Sequence, residues 1–302
     1  MIDLACVGHA AVDHHFEIEA FPARPTKTPA TAYHHIIGGM AANAAVAATR
    51  LGGRVRLLGR VGDDEAGRFV RAELAALGVA DVQLEAVAGA ATSVSSVVVD
   101  AHGERQVFNH RGSALTRAHP LDVVQLAGAR ALLVDPRWPA GAAAALRWAR
   151  EHGVFSMLDA DVAPLADLQA MVPLAQWAVF SEPGLAAFAP GASQEEALHL
   201  AVQSGAAVAM VTLGERGVLW THGANTGGLM QRLAGYRVKA TDTTGAGDVF
   251  HAALALALGR GQAEDAAVRW ACAAAALKCS RGPGVLGTPT APEIADFMTK
   301  YA

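Results

Sequence analysis

Asp242-Thr243-Thr244-Gly245-Ala246-Gly247-Asp248 stands directly ahead of Val249–Leu258, an apolar run with the length of a helix. Glycines before a helix let the backbone turn tightly and aim its free amides outward. Those amides and the helix dipole make an anion site. A carboxylate beside an anion site is electrostatically odd. It makes sense where the carboxylate must stay ionised and accept a proton from a substrate hydroxyl, as phosphoryl transfer requires. The competing reading is an acidic first-turn residue favoured by the dipole alone, and the residues by themselves leave both open. No Gly-x-x-x-x-Gly-Lys-Ser/Thr sequence occurs, which sets aside P-loop chemistry.

Such a loop needs a scaffold. Short β-rich runs at Leu4–Val7, Val55–Leu58, Leu132–Asp135, Phe155–Asp159, Ala178–Phe180 and Val208–Thr212 are predicted strands. Several are continuously apolar, as in strands buried on both faces. They alternate with predicted helices at Ala41–Leu51, Glu65–Leu77, Ala140–Glu151, Gln194–Gln203, Ala246–Leu258, Ala263–Lys278 and Pro292–Thr299. Gly52, Gly78, Gly153, Gly205 and Gly259 follow or end helices, which is C-cap chemistry. The alternation predicts an α/β fold with a parallel sheet covered on both sides. Residues 13–37 and 92–110 break the rhythm. The second segment reads as a hairpin turning at His102–Gly103. Both are expected to form a small accessory sheet, inserted into one domain spanning residues 1–302.

Composition narrows the partners. Lys and Arg number 24 against 28 Asp and Glu, a net charge of −4 without a basic block, so no nucleic-acid surface is expected. Apolar residues make up 52% of the chain, but 68 residues are Ala. The mean hydropathy of +0.26 therefore reflects small side chains. A spanning helix needs roughly 20 consecutive apolar residues, and Ala252–Leu258 and Trp270–Leu277 are far shorter, so no membrane is expected. No secretory signal is visible at the N-terminus. Cys6, Cys272 and Cys279 form no Cys-x-x-Cys pair, which suits a reducing cytoplasm rather than a disulfide scaffold or zinc site.

The ordered motifs resemble the PfkB/ribokinase family of carbohydrate kinases. Asp242–Ala253 is similar to its C-terminal signature and Gly38-Gly39-Met40-Ala41-Ala42-Asn43 to its N-terminal one. Arg60-Val61-Gly62-Asp63-Asp64-Glu65-Ala66-Gly67 and Thr212-Leu213-Gly214-Glu215-Arg216-Gly217 follow in the family's order. The resemblance implies a three-layer ribokinase-like sandwich with a mostly parallel central sheet and a small β-sheet lid. It also implies an ATP-dependent sugar kinase. Asp248 is then the base that activates the sugar hydroxyl, and Gly245, Ala246 and Gly247 form the anion hole. Asp13 holds sugar hydroxyls, and Gly38, Gly39 and Asn43 cradle the sugar. Thr212, Gly214 and Gly217 form the ATP phosphate and ribose loop, and Mg²⁺ arrives with ATP, held mainly by phosphates and water. Asp242 and Thr244, with the loop Ser280–Thr288, resemble the monovalent-cation site of many members, which implies K⁺. The lid implies a homodimer clasp and exclusion of water from the transfer site.

Two departures stand out. Ser181-Glu182-Pro183-Gly184 lies where the family has Asn-x-x-Glu, which leaves Glu182 as the candidate to reach Mg²⁺ through water. Met40-Ala41 replaces the Lys-Gly of ribokinases, so ribose is not the expected sugar. Gly103-Glu104-Arg105, Val134-Asp135-Pro136-Arg137-Trp138, Leu158-Asp159-Ala160-Asp161, Phe180-Ser181-Glu182-Pro183-Gly184-Leu185 and Ala276-Leu277-Lys278-Cys279 together are similar to bacterial 6-deoxy-6-sulfofructose kinases. A sulfonate needs cationic donors, because an unpaired buried anion is very costly. This finer resemblance implies Lys27, Asn109 and Arg137 in that role. Fructose or another ketohexose, a sugar phosphate or 2-keto-3-deoxygluconate fits the same skeleton. A non-catalytic sugar- or nucleotide-binding regulator is the reading from another class. His14–His15 and His34–His35 are expected in the lid. His251, Trp138, Trp148, Trp177, Trp220 and Trp270 are expected to pack.

Overall fold

The computed structural model describes residues 1–115, 119–223 and 228–301. Its larger sheet is built from β1 (Leu4–His9), β4 (Val55–Gly62), β5 (Asp81–Val87), β8 (Ala131–Val134), β9 (Phe155–Ala160), β10 (Trp177–Ser181), β11 (Val208–Thr212), β12 (Val218–His222) and β13 (Gln231–Leu233). The order is β13-β12-β11-β10-β9-β8-β1-β4-β5. Neighbours pair in parallel except β12, which runs antiparallel to both β11 and β13.

The continuous apolar runs reflect burial on both faces. Leu4 and Cys6 of β1 enter one core, Ala5 and Val7 the other, and Leu133 and Leu132 of β8 divide likewise. The first core is closed by α1 (Met40–Arg50), α2 (Glu65–Ala76), α7 (Ala246–Gly259), α8 (Glu264–Cys279) and α9 (Ala291–Thr299). The second is closed by α3 (Pro139–His152), α4 (Leu165–Met171), α5 (Glu182–Phe188) and α6 (Gln194–Ser204). Much of the alanine lies in this packing. Ala41, Ala42, Ala44, Ala45, Ala47 and Ala48 are buried on α1, and Ala267, Ala271, Ala273 and Ala274 on α8. Small side chains let those helices approach closely.

The smaller sheet contains β2 (Ala11–Ile18), β3 (Ala32–Gly38), β6 (Ser93–Asp100) and β7 (Arg105–His110), in the order β3-β2-β6-β7. β2 pairs in parallel with β6, and the outer pairs are antiparallel. The hairpin turns where expected, with Gly103 at φ 81° and its amide donating to the Asp100 carbonyl at 2.9 Å. Side chains alternate across a strand, so the cross-strand rows Ile36–Asp13–Ser95–Asn109 and His34–His15–Val97–Val107 share one face.

β5, β12, β13, α4 and α5 were not expected from the sequence. β5 is an edge strand carrying Gln83 and Glu85, so its apolar signal is weak. Pro183-Gly184 reads as turn chemistry. It is instead the first turn of α5, where Pro lacks only an unneeded amide and the Ser181 hydroxyl accepts from Gly184 N at 3.0 Å.

Candidate active site

The motif residues converge at the C-terminal ends of the parallel strands, the usual ligand edge of such sheets. Gly245 caps α7 at φ 76°. A Cβ on Gly247 would meet nothing within 4 Å, so this side of the loop opens onto free space. The first-turn amides of a helix lack intrahelical acceptors, which is what an anion hole needs. Asp248 sits in that turn, and its Oδ2 accepts from Asn43 Nδ2 at 2.7 Å. Burial, and then the nearby Asp159 carboxylate, push Asp248 up to about 8, against the Asn43 hydrogen bond and His251. Asp159 is itself held well above the usual carboxylate range by burial, with Asp161 and Asp135 adding repulsion. His251, expected to pack, lies under the loop with Nδ1 2.7 Å from the Gly247 carbonyl and 3.2 Å from Asp159 Oδ2.

The lid and the start of α1 carry the residues expected to hold a sugar. Asp13 is buried, and burial raises its carboxyl while a hydrogen bond from Ser95 opposes the rise. Any side chain on Gly38 would strike that carboxyl, so glycine there is a packing requirement. Gly39 opens α1 at φ 93°, and a Cβ would lie 2.7 Å from the His9 carbonyl. Asn43 Oδ1 is enclosed and unpartnered, an acceptor available to a hydroxyl. Asn109 Nδ2 donates to Ser95 Oγ at 3.1 Å, which links it to Asp13 along one cross-strand row. Arg105 of β7 donates to the Thr243 hydroxyl, fastening the lid to the catalytic loop.

Arg137 lines a small pocket of about 30 Å³, together with Gly8, His9, Arg60, Arg111, Leu115 and Trp138. Its guanidinium pairs with Asp161 Oδ2 at 2.8 Å, and Asp161 Oδ1 accepts from Ser181 Oγ at 2.7 Å. The departure at Ser181 thus reaches Arg137 through one carboxylate. Arg60 lies 4.7 Å from the Trp138 ring centroid and donates to the Leu115 carbonyl. Trp138 is therefore a platform as well as a packing residue. Burial and then Arg137 lower the Arg111 guanidinium. Burial, with Arg137 and Arg111 adding repulsion, pushes the His9 imidazole down to about 4, so it is neutral near pH 7, and its Nε2 is enclosed without a partner. Asp135 ties this wall together, accepting from the amides of His9 (2.7 Å), Ala41 (3.0 Å) and Arg137 (2.8 Å). Lys27 stands in the exposed loop between β2 and β3, with no hydrogen bond or ion pair among the described residues.

Thr212 ends β11, and Gly214 (φ 59°) and Gly217 (φ 86°) bracket the following turn. Glu182 flanks it, holding Arg216 with both carboxylate oxygens at 2.7 Å and Gln194 at 2.8 Å. Among the described residues no cluster of three or more metal-ligating side chains occurs. The oxygen donors present fit a hard ion such as Mg²⁺ delivered by its nucleotide, with phosphates and water as the main ligands. Asp242 meets Lys278, whose buried Nζ lies 3.1 Å from Oδ2 and 2.7 Å from the Asp242 carbonyl.

The description "pfkB family carbohydrate kinase" matches residues 1–291. The chain belongs to that family. It is an ATP-dependent carbohydrate kinase, which sets aside the reading as a non-catalytic regulator. Ribokinase of Bacillus subtilis is 28% identical over 99% of this chain and 100% of its own. Fructokinase of Solanum tuberosum is 31% identical over 85% and 84%. A crystal structure from Agrobacterium tumefaciens, provisionally described as a ribokinase, superposes with a TM-score of 0.92 at 33% identity, over 99% of the kinase and 97% of that chain. The expected ribokinase-like fold is thus the observed one.

Sequence reasoning missed several residues that shape the kinase's site: His9, Arg60, Arg111 and Lys278. Arg60 and Lys278 stand in quoted motifs, but nothing local says that their side chains face a cavity or a loop. Arg111 follows Asn109 by two positions, a signal visible only once the lid's placement is known.

Proposed function

We propose that the kinase transfers the γ-phosphoryl group of ATP to the C1 hydroxyl of 6-deoxy-6-sulfofructose, giving its 1-phosphate. The observation that carries this reading is the arginine pocket, whose wall Asp135 ties to the start of α1, the helix that carries Asn43. Arg137 and Arg111, with Asn109, hold the sulfonate, and Lys27 would have to swing in from the exposed loop between β2 and β3. Asp13 and Asn43 orient the sugar hydroxyls. As the C1 oxygen attacks phosphorus, Asp248 takes its proton and the amides from Gly245 to Gly247 receive the transferred charge. Thr212, Gly214 and Gly217 hold the nucleotide. Mg²⁺ arriving with ATP would neutralise phosphate charge, and Glu182 is the side chain that would reach it through water. Three unpaired cysteines suit a reducing cytoplasm, and among the described residues no helix is long and apolar enough to cross a membrane. Tyr33 and Phe108, 52% and 60% exposed on the lid, suit a homodimer clasped through that sheet.

A coupled ADP-release assay comparing sulfofructose, fructose, fructose 6-phosphate and 2-keto-3-deoxygluconate tests the substrate. Sulfofructose should give the highest kcat/KM. Equal turnover of fructose, unaffected by Arg137→Ala, refutes the sulfonate reading. Light scattering on Phe108→Asp tests the clasp, with loss of the dimer expected.

A further inference from the structure

The loop from Ser280 to Thr288, together with Asp242 and Thr244, is where the family resemblance places a monovalent cation. Several of the oxygens there already accept hydrogen bonds from the chain itself. The Cys279 carbonyl accepts from the amides of Thr241 (2.8 Å) and Asp242 (3.2 Å), and the Val285 carbonyl from the Thr288 amide (3.0 Å) and hydroxyl (2.6 Å). The Thr288 carbonyl accepts from Arg50 Nε at 2.8 Å. Asp242 Oδ1 accepts from Thr244 N at 2.8 Å and Oδ2 from Gly284 N at 2.7 Å. The Thr244 hydroxyl is enclosed without a partner, but one hydroxyl is not a cage.

Into this cluster comes a positive charge of the chain's own. The Lys278 side chain is fully buried. Its Nζ reaches the Asp242 carbonyl at 2.7 Å, Asp242 Oδ2 at 3.1 Å and the Arg281 carbonyl at 3.4 Å. Two main-chain carbonyls and a carboxylate around one compact monovalent charge are the ligand chemistry of a dehydrated alkali ion. An ammonium serves the same oxygens by donating its three protons.

We infer that Lys278 is a built-in replacement for a bound monovalent cation, clamping the catalytic loop to the C-terminus of α8 so that the kinase works without K⁺. The loop it grips runs straight on to the anion hole and Asp248. Lys278 is a positioning residue, since it acts through Asp242. The inference is independent of which sugar is phosphorylated.

The test compares KCl with tetramethylammonium chloride at matched ionic strength, reading thermal unfolding and ADP release. A ligand that binds only the native state raises Tm. The wild-type kinase should show the same Tm and the same kcat in both salts. A K⁺-dependent Tm or a K⁺ requirement for turnover in the wild type overturns the inference, and the Tm arm needs no substrate. Lys278→Ala should lose about tenfold or more in kcat, the scale expected when charge stabilisation in the transition state is weakened. It should gain what the wild type lacks, a rise in both Tm and kcat with K⁺ or NH₄⁺. A Lys278→Ala kinase indifferent to both ions shows a plain salt bridge and also refutes the inference. Should that variant fail to fold, the wild-type comparison still decides.

Discussion

The two ends of the substrate cleft are built in opposite ways. At the phosphoryl end the working surface is backbone, with one carboxylate, and the residues are consecutive from Gly245 to Asp248. At the far end the working surface is side-chain guanidinium. Arg60 stands near the end of β4 in the central sheet, Arg111 follows the lid, and Arg137 follows another central strand. Backbone chemistry demands glycine and so writes a local pattern. Side-chain chemistry assembled from distant segments writes none. On the proposed reading, reaction and specificity separate in space and in sequence.

Mutations can test that separation. Asp248→Asn should abolish turnover, a loss of about 10²–10⁴-fold or more, while calorimetry finds sugar binding nearly intact. Wild-type-like turnover would break the assignment of the base. The same change should help the ligand-free fold. Asp248 carries a folded pKa of about 8, above its unfolded value near about 4. The native state thus holds that proton more tightly and loses stability as pH rises between those values. Asn removes the loss, so at pH 8 the variant should melt a few degrees above the wild type.

At the other end, Arg137→Ala should raise KM for the sulfonated sugar about 10–100-fold, the worth of a charged hydrogen-bonded partner, and leave kcat little changed. A loss confined to kcat would erase the contrast between the two ends. The pH profile sharpens it further. Activity needs ionised Asp248, so kcat/KM should climb with pH to a midpoint near 8 and then level off. Asp159→Asn removes a repelling charge and should move that midpoint downward. Glu182→Gln should have the smallest effect. Its pair with Arg216 is about half exposed, and such pairs contribute about 0–1 kcal/mol, so kcat/KM at saturating Mg²⁺ should fall only a few-fold.

The same contrast explains what could be read in the sequence. The central parallel strands and the longer helices were visible because two-sided burial leaves continuous apolar runs and helices leave caps, whereas β12, α4 and α5, which also enter the cores, were not. Asp248 was visible through the glycines beside it, and Asp13 and Asn43 through the family resemblance; Asn43 and Asp248 meet in the structure. Lys27 was named as a cation but stands apart on an exposed loop, because spacing says nothing about where a long lid loop lies. Arg60 and Arg111 were unnamed because their meaning arises only when β1, β4, β8 and the lid meet. Lys278 looked like an ordinary residue near a helix end until its ammonium was seen inside the Asp242 cluster.

The scattered origin of the arginine wall bears on how such a protein changes over generations. Arg60, Arg111 and Arg137 each occupy a segment that contributes nothing to the anion hole. If the wall selects the acceptor as proposed, exchanging one of them changes the acceptor admitted and leaves the anion hole in place. On that reading a lineage can pass from an anionic acceptor to a neutral one through active intermediates, one arginine at a time.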